Sequence, residues 1–264
     1  MTSETISVTS TDGTTIAVDR AGHGPAVVLV HGGPTDHWSN AGVASLLAEH
    51  FTVYNYDRRG RGASGDTAPW ALGREVEDLD GVIAAAGGSA CVYGTSGGAV
   101  FALQAAAAGS SITKLVLWEP PFVVDDSRPA IPADYTTTME SLVGAGRNGD
   151  ALEYFFVTGV GMPAEMVEFM KAAPFWAGME TMATGLLYDT RIIGDFTVPA
   201  NLTKITTPTV VIDGGTASWT TAAADAVAAA LVNATRQTLA GQPHNVADDA
   251  IAPAIIALCA GGTL

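Results

Sequence analysis

Residues Gly94-Thr95-Ser96-Gly97-Gly98 constrain this chain more than any other stretch. They lie directly behind the short apolar run Ala90-Cys91-Val92-Tyr93 and ahead of the alanine-rich stretch from Ala99 to Ala108. That order predicts a strand, a sharp turn and a helix, with a serine at the apex. Gly94 and Gly98 lack the Cβ atoms that would collide where strand and helix approach closely. A serine hydroxyl is a weak nucleophile at neutral pH, so presenting one on such a turn is useful only if a base and an oxyanion site converge on it. In a chain with 30 glycines the pentapeptide alone is a common string, and its meaning rests on the sequence around it.

The surrounding pattern is that of an open parallel sheet. Ala26-Val27-Val28-Leu29-Val30 is an uninterrupted apolar run of the kind expected when helices cover both faces of a strand. Helix-like Ala41 to Glu49, strand Phe51 to Tyr56, helix Arg74 to Ala86, strand Ala90 to Tyr93, helix Ser96 to Ala108 and strand Ile112 to Trp118 then alternate. Alternation of this kind argues for an α/β fold with a doubly wound, mostly parallel sheet. Ahead of it, Thr5 to Val8 and Thr15 to Val18 flank Thr11-Asp12-Gly13 and read as an antiparallel hairpin.

From Pro120 to about Ala200 strand runs vanish, and residues such as Met139, Phe155, Met170 and Trp176 appear among helical stretches. The sheet pattern resumes with strand Thr209 to Ile212, a helix from about Thr221 to Leu231, a strand near Thr235 to Leu239 and a final helix from about Asp248 to Leu258. The expected organisation is one core domain, residues 1–119 and 201–264, interrupted by a helical cap over residues 120–200. Its methionines and phenylalanines suggest an adaptable apolar pocket above Ser96, alongside ordinary cap packing.

Bulk composition narrows the partners. Net charge is −15, from 12 basic against 27 acidic residues, which repels phosphate backbones and anionic lipid surfaces. A small-molecule substrate is expected, and neither nucleic acid nor membrane. The N-terminal stretch Met1 to Ser7 has no basic region followed by an apolar core, and no apolar run approaches the roughly 18 residues of a spanning helix. A cytoplasmic location follows as the expectation. Cys91, in a predicted central strand, and Cys259, near the end of a predicted helix, form neither a disulfide framework nor a metal-ligand cluster, and read as buried thiols in a reducing compartment.

Ligands of an open parallel sheet bind beyond the carboxyl ends of its strands. After the third strand comes His31-Gly32-Gly33-Pro34, where two glycines allow a tight turn with amide groups free for a ligand. Pro34 has no N–H, so Gly33 is the better oxyanion donor. Gly97 follows the serine at a helix start, where the N–H lacks an intrahelical partner, and is the second. Asp57-Arg58-Arg59-Gly60-Arg61-Gly62-Ala63-Ser64 lacks the lysine-serine end of a phosphate-binding loop and is read as structural. Among the histidines, only His244, in Leu239-Ala-Gly-Gln-Pro-His244-Asn245, lies after Ser96, on a loop ahead of a helix. It is the candidate base.

With these elements in order, the chain resembles the α/β-hydrolase superfamily along essentially its whole length. The resemblance rests on the His31-Gly32-Gly33-Pro34 loop, the Asp57 to Ser64 loop, the Gly94 to Gly98 elbow, a cap after the next strand and a late histidine. A serine at the elbow differs from the aspartate used in similar haloalkane dehalogenases and epoxide hydrolases. The His-Gly-Gly-Pro opening also looks like proline iminopeptidases, which carry a tryptophan where this chain has Gly97.

The resemblance implies a triad acid a few residues past the strand Thr209 to Ile212. There the chain reads Asp213-Gly214-Gly215-Thr216-Ala217-Ser218-Trp219, and the usual acid position is Ala217 or Ser218. Glu119, in Trp118-Glu119-Pro120-Pro121, is the substitute, since some superfamily members place their acid at the end of that strand. A carboxylate at a buried strand end also needs a partner, and an imidazolium is a good one. Asp213 is the alternative acid. The implied activity is a carboxylesterase-like serine hydrolase acting on a small, largely apolar ester, lactone or thioester, with catalytic Ser96, His244 and Glu119 and an oxyanion hole of Gly33 and Gly97. That chemistry calls for no cofactor and no metal. Carbon-carbon bond hydrolysis or lyase chemistry on the same scaffold, and a non-catalytic small-molecule-binding protein, are the alternatives.

Overall fold

The computed structural model describes residues 3–261, so Met1 and Thr2 of the N-terminal stretch read above, together with residues 262–264, lie outside the described residues. Strands β1 (Glu4–Thr9) and β2 (Thr15–Gly22) form the expected hairpin, and the Thr14 N–H donates to Asp12 Oδ1 at 3.0 Å across its turn. Then β3 (Ala26–Val30), α1 (Ala41–Leu47), β4 (Thr52–Tyr56), α2 (Leu72–Ala85), β5 (Ala90–Thr95), α3 (Gly97–Ala108) and β6 (Ile112–Trp118) alternate. After β6 come helices α4 (Tyr135–Gly144), α5 (Asn148–Tyr154), α6 (Ala164–Lys171), α7 (Trp176–Glu180) and α8 (Ala183–Ile193). The chain returns to the sheet with β7 (Thr209–Asp213), α9 (Ser218–Ala230), β8 (Ala234–Thr238) and α10 (Asp248–Cys259).

Eight strands make one sheet in the order β1-β2-β4-β3-β5-β6-β7-β8, antiparallel at β1-β2-β4 and parallel from β4 onward. Side chains alternate between its faces, as the two-residue strand period requires. Val28, Val30, Val92, Leu115, Leu117 and Val211 pack in one cluster with residues of α2, α3 and α9. Val27, Leu29, Tyr93, Val116, Trp118 and Ile212 pack in another with α1 and α10. Coverage of both faces explains why these strands read as continuous apolar runs.

The helices between β6 and β7 have an apolar cluster of their own, including Tyr135, Met139, Leu152, Val167, Trp176 and Leu186. The methionines and aromatics of this segment divide: Met139 and Trp176 are buried, whereas Met166, Phe169 and Phe175 are exposed. Helix α8 packs on α3, so α3 is covered on its outer side too. Among the described residues no helix is long and apolar enough to cross a membrane.

The two cysteines correct the sequence expectation: Cys91 and Cys259 form a disulfide. Cys91 lies at the start of β5 on the face covered by α10, and Cys259 ends α10, which brings their Cα atoms to 5.8 Å. That separation lies inside the usual disulfide range of roughly 4.4 to 6.8 Å. Nothing local in the sequence signals the pair, because the two positions are 168 apart in sequence. The inference of a reducing compartment loses its basis, since disulfides persist in oxidising surroundings.

Closing so long a loop restricts the unfolded chain, by about 5 kcal/mol in the chain-entropy picture. Cys259→Ser, or reduction of the wild type, is therefore expected to lower the midpoint of guanidinium unfolding. An unchanged midpoint, with two thiols titrating in unfolded and unreduced protein, would contradict the cross-link.

Candidate active site

Ser96 sits between β5 and α3 with φ 54° and ψ −124°. A non-glycine residue held in so sparsely populated a region costs on the order of 1–3 kcal/mol, which the surrounding structure must offset. Its N–H donates to the Trp118 carbonyl at 2.9 Å, and its own carbonyl accepts from the Ala99 N–H at 2.9 Å. Around the turn, backbones pack directly on one another. A Cβ on Gly94 would lie 2.8 Å from Ala99 Cα, and one on Gly98 would collide with the Val30 and His31 carbonyl oxygens. A Cβ on Gly32 would lie 2.5 Å from the Gly98 nitrogen. The serine turn and the His31-Pro34 loop are thereby locked side by side.

Glu119 and His244 are brought together from positions 125 residues apart, with His244 Nδ1 2.6 Å from Glu119 Oε2. Glu119 is buried and also has a positive φ, 42°, at the exit from β6. Its other oxygen, Oε1, accepts from the Gly214 N–H at 3.1 Å, so both carboxylate oxygens have partners. The neighbouring Trp118 indole donates to the His244 carbonyl at 2.8 Å and fixes the loop that carries the histidine. Because Trp118 also accepts from the Ser96 N–H, the end of β6 touches the serine turn through its backbone and the histidine loop through its side chains.

Asp213 is engaged elsewhere. Its Oδ1 accepts from Thr238 Oγ1 at 2.7 Å and pairs with Arg236 Nη2 at 2.8 Å, while Oδ2 accepts from the Gly215 N–H at 3.1 Å and from the Thr221 hydroxyl. Burial pushes its carboxyl up, but the hydrogen bonds from Thr221, Thr238 and Arg236 outweigh it and hold the carboxyl below the usual carboxylate range. This aspartate ties the end of β7 to β8 and α9.

The Asp57 to Ser64 loop is structural in detail. Arg58, Arg59 and Arg61 are all buried. Arg59 pairs with Asp78 at 2.6 Å and Asp12 at 3.0 Å. Arg58 pairs with Glu75 at 2.7 Å and donates to the His31 carbonyl at 3.2 Å. The Arg58 N–H donates to His31 Nε2 at 3.3 Å, and burial together with the nearby Arg61 and Arg58 charges pushes His31 well below the ordinary histidine range, so its ring is a neutral acceptor.

One residue was missed in the sequence. Asp189, on α8, is buried and receives Arg58 Nη1 at 2.6 Å and Arg61 Nη2 at 2.9 Å. Its Oδ2 accepts the Gly33 N–H at 2.7 Å. That N–H, expected to be free, is thus engaged. No motif marks Asp189, and the contact spans 156 residues; the available signal was that it is the one carboxylate of α8. Gly97 opens α3, where the first N–H groups have no intrahelical partner.

With this geometry in place, comparison with known proteins is informative. The profile of the alpha/beta hydrolase family matches residues 27–254. The chain belongs to the alpha/beta hydrolase family. Within it, a crystal structure of an alpha/beta hydrolase from Sphaerobacter thermophilus superposes with a TM-score of 0.90 at 49% identity, covering 95% of this chain and 98% of that one. N-formylmaleamate deformylase from Pseudomonas putida is 35% identical over 145 residues, 52% of this chain and 53% of the relative. Pimeloyl-[acyl-carrier protein] methyl ester esterase from Xanthomonas campestris pv. campestris is 39% identical over 101 residues, 38% of each chain. The matches span 14% to 53% of the length of such curated relatives. This alpha/beta hydrolase therefore has esterase and deformylase relatives that it matches over part of their length.

Asp213→Asn is expected to destabilise the hydrolase by about 2 kcal/mol at neutral pH, the scale of a lost charge-assisted hydrogen-bond set. A carboxyl held below its unfolded value of about 3.9 contributes stability above that pH and loses it as pH falls through the folded value. The difference in unfolding free energy between wild type and variant should therefore narrow below about pH 4; a constant difference across pH 3 to 7 would contradict the ionised contacts.

Proposed function

We propose that this protein is a serine hydrolase that transfers an acyl group to water through a Ser96-His244-Glu119 triad. The observation that carries the reading is the 2.6 Å contact between Glu119 Oε2 and His244 Nδ1, at a strand end whose Trp118 also holds the Ser96 turn. With Nδ1 committed to the carboxylate, Nε2 is the nitrogen left to take the serine proton. In the proposed cycle Ser96 Oγ attacks the carbonyl carbon and His244 accepts its proton. Glu119 fixes the imidazole tautomer and stabilises the imidazolium. The N–H groups of Gly97 and Gly33 receive the oxyanion. His244 then protonates the leaving group, and water repeats the sequence on the acyl-enzyme.

The substrate is a small neutral acyl compound under a helical cap formed by residues 120–200 on the core of 1–119 and 201–264. Phe155 supports this, because its ring edge lies 3.9 Å from where a Cβ on Gly33 would stand and lines the oxyanion loop with apolar surface. The relatives, a pimeloyl-[acyl-carrier protein] methyl ester esterase and an N-formylmaleamate deformylase, support esters first and N-formyl compounds second.

A chromogenic ester series of increasing acyl length tests the assignment. Ser96→Ala should lose on the order of 10⁶ in kcat, and Glu119→Gln about 10⁴, both with folding intact. Asp213→Asn, at a temperature where it remains folded, should keep kcat close to wild type. Loss of several orders of magnitude in Asp213→Asn with little change in Glu119→Gln would overturn the triad.

A further inference from the structure

The Gly33 N–H cannot serve a substrate oxygen in the conformation observed. It donates to Asp189 Oδ2 at 2.7 Å, and a single N–H aimed at a carboxylate is not also aimed elsewhere. The same oxygen lies 2.7 Å from the place a Cβ would occupy on Gly97. One carboxylate, 2% exposed and delivered by α8, therefore bonds Gly33 and lies beside Gly97, the two residues assigned to the oxyanion site. A fixed negative charge at that point opposes the charge that develops on the reacting carbonyl oxygen.

Open donors belong to a residue that the carboxylate already contacts. Asp189 Oδ1 already pairs with Arg58 Nη1 at 2.6 Å and with Arg61 Nη2 at 2.9 Å. Arg61 is buried, and its Nε and Nη1 have no hydrogen-bond partner. Buried donors left without acceptors are costly, and a planar guanidinium edge is the natural partner of a carboxylate. Arg61 also donates to the Gly185 carbonyl, one helical turn before Asp189, so it is already attached to α8. A carboxylate that turns from Gly33 onto the open donors of Arg61 exchanges one charge-assisted hydrogen bond for another and is never left unpaired.

We propose that Asp189 is a positioning residue that governs the oxyanion donor: it holds the Gly33 N–H in the free protein, and reaction requires its carboxylate to turn from Gly33 onto Arg61. This rests on the serine-hydrolase reading above. It makes α8 a participant in turnover rather than a passive cover.

The probe is an alkyl trifluoromethyl ketone. Ser96 Oγ adds to its carbonyl carbon, the hydroxyl proton passes to His244, and the carbonyl oxygen becomes an oxyanion that draws on both N–H groups. Asp189→Asn keeps the shape and removes the charge, and should bind the ketone at least about tenfold more tightly than wild type, given that one oxyanion donor is worth about 10² to 10³. Arg61→Lys keeps the charge and removes the planar edge. It should bind the ketone more weakly and lower kcat without raising KM, and adding Asp189→Asn to it should restore both. Equal or weaker ketone binding by folded Asp189→Asn overturns the role of Asp189. Absence of an adduct in wild type and variant alike overturns the serine-hydrolase reading itself. Should Asp189→Asn fail to fold, the Gly33 amide proton of the wild type answers the same question. A strongly downfield resonance that moves upon ketone binding supports the exchange of partners, and an ordinary resonance unchanged by the ketone overturns it.

Discussion

The backbone at Ser96 is the constraint from which the rest of the site follows. A serine at φ 54° and ψ −124° can be presented above the sheet only if strand, turn and helix are pressed together. That compression requires Gly94 and Gly98 at the turn and Gly32 in the neighbouring loop, each where a Cβ would meet backbone. The energy to hold the turn comes from the sheet beneath it: β5 is paired on both sides, with β3 and β6, and both of its faces are covered by helices. A strained residue on a rigid support is the usual arrangement of a positioned nucleophile.

A second layer of organisation is ionic. The buried arginines of the Asp57 to Ser64 loop join separate parts of the chain. Arg58 links Glu75 of α2, the His31 carbonyl of the His31-Pro34 loop and Asp189 of α8, and stacks over Phe101 of α3 at 4.7 Å. Removing one member leaves a buried charge uncompensated and is destabilising. Through Arg58, α2, the His31-Pro34 loop and α8 share one electrostatic junction. Asp189 is where that junction meets the Gly33 N–H.

The sheet was legible in the sequence because a strand buried on both faces leaves a run such as Ala26 to Val30, and the alternation with helices leaves one topology to consider. The placement of Ser96 at the exit from β5 and of His244 on the loop after β8 was legible because each follows a strand on the carboxyl side of the sheet. Glu119 came from the resemblance, some of whose members place an acid at the end of this strand, and the structure puts its carboxylate 2.6 Å from His244 Nδ1. Three features were not legible. The Cys91-Cys259 disulfide depends on where α10 ends over β5, which no local pattern encodes. The pairing of Asp213 with Arg236 and two threonines depends on the register of β7 and β8. Asp189 depends on the docking of one helix of the segment between β6 and β7, and helix periodicity does not say which residue meets a loop 156 positions away. In each case the missing information is long-range packing rather than local propensity.

The most direct test of the account is covalent labelling of the nucleophile. An alkyl fluorophosphonate should add one equivalent to the wild type, on the peptide that carries Ser96, with labelling slowed strongly in His244→Gln and absent in Ser96→Ala. A protein that stays unlabelled under these conditions, or that is labelled equally after Ser96→Ala, would contradict the assignment of Ser96 as an activated nucleophile.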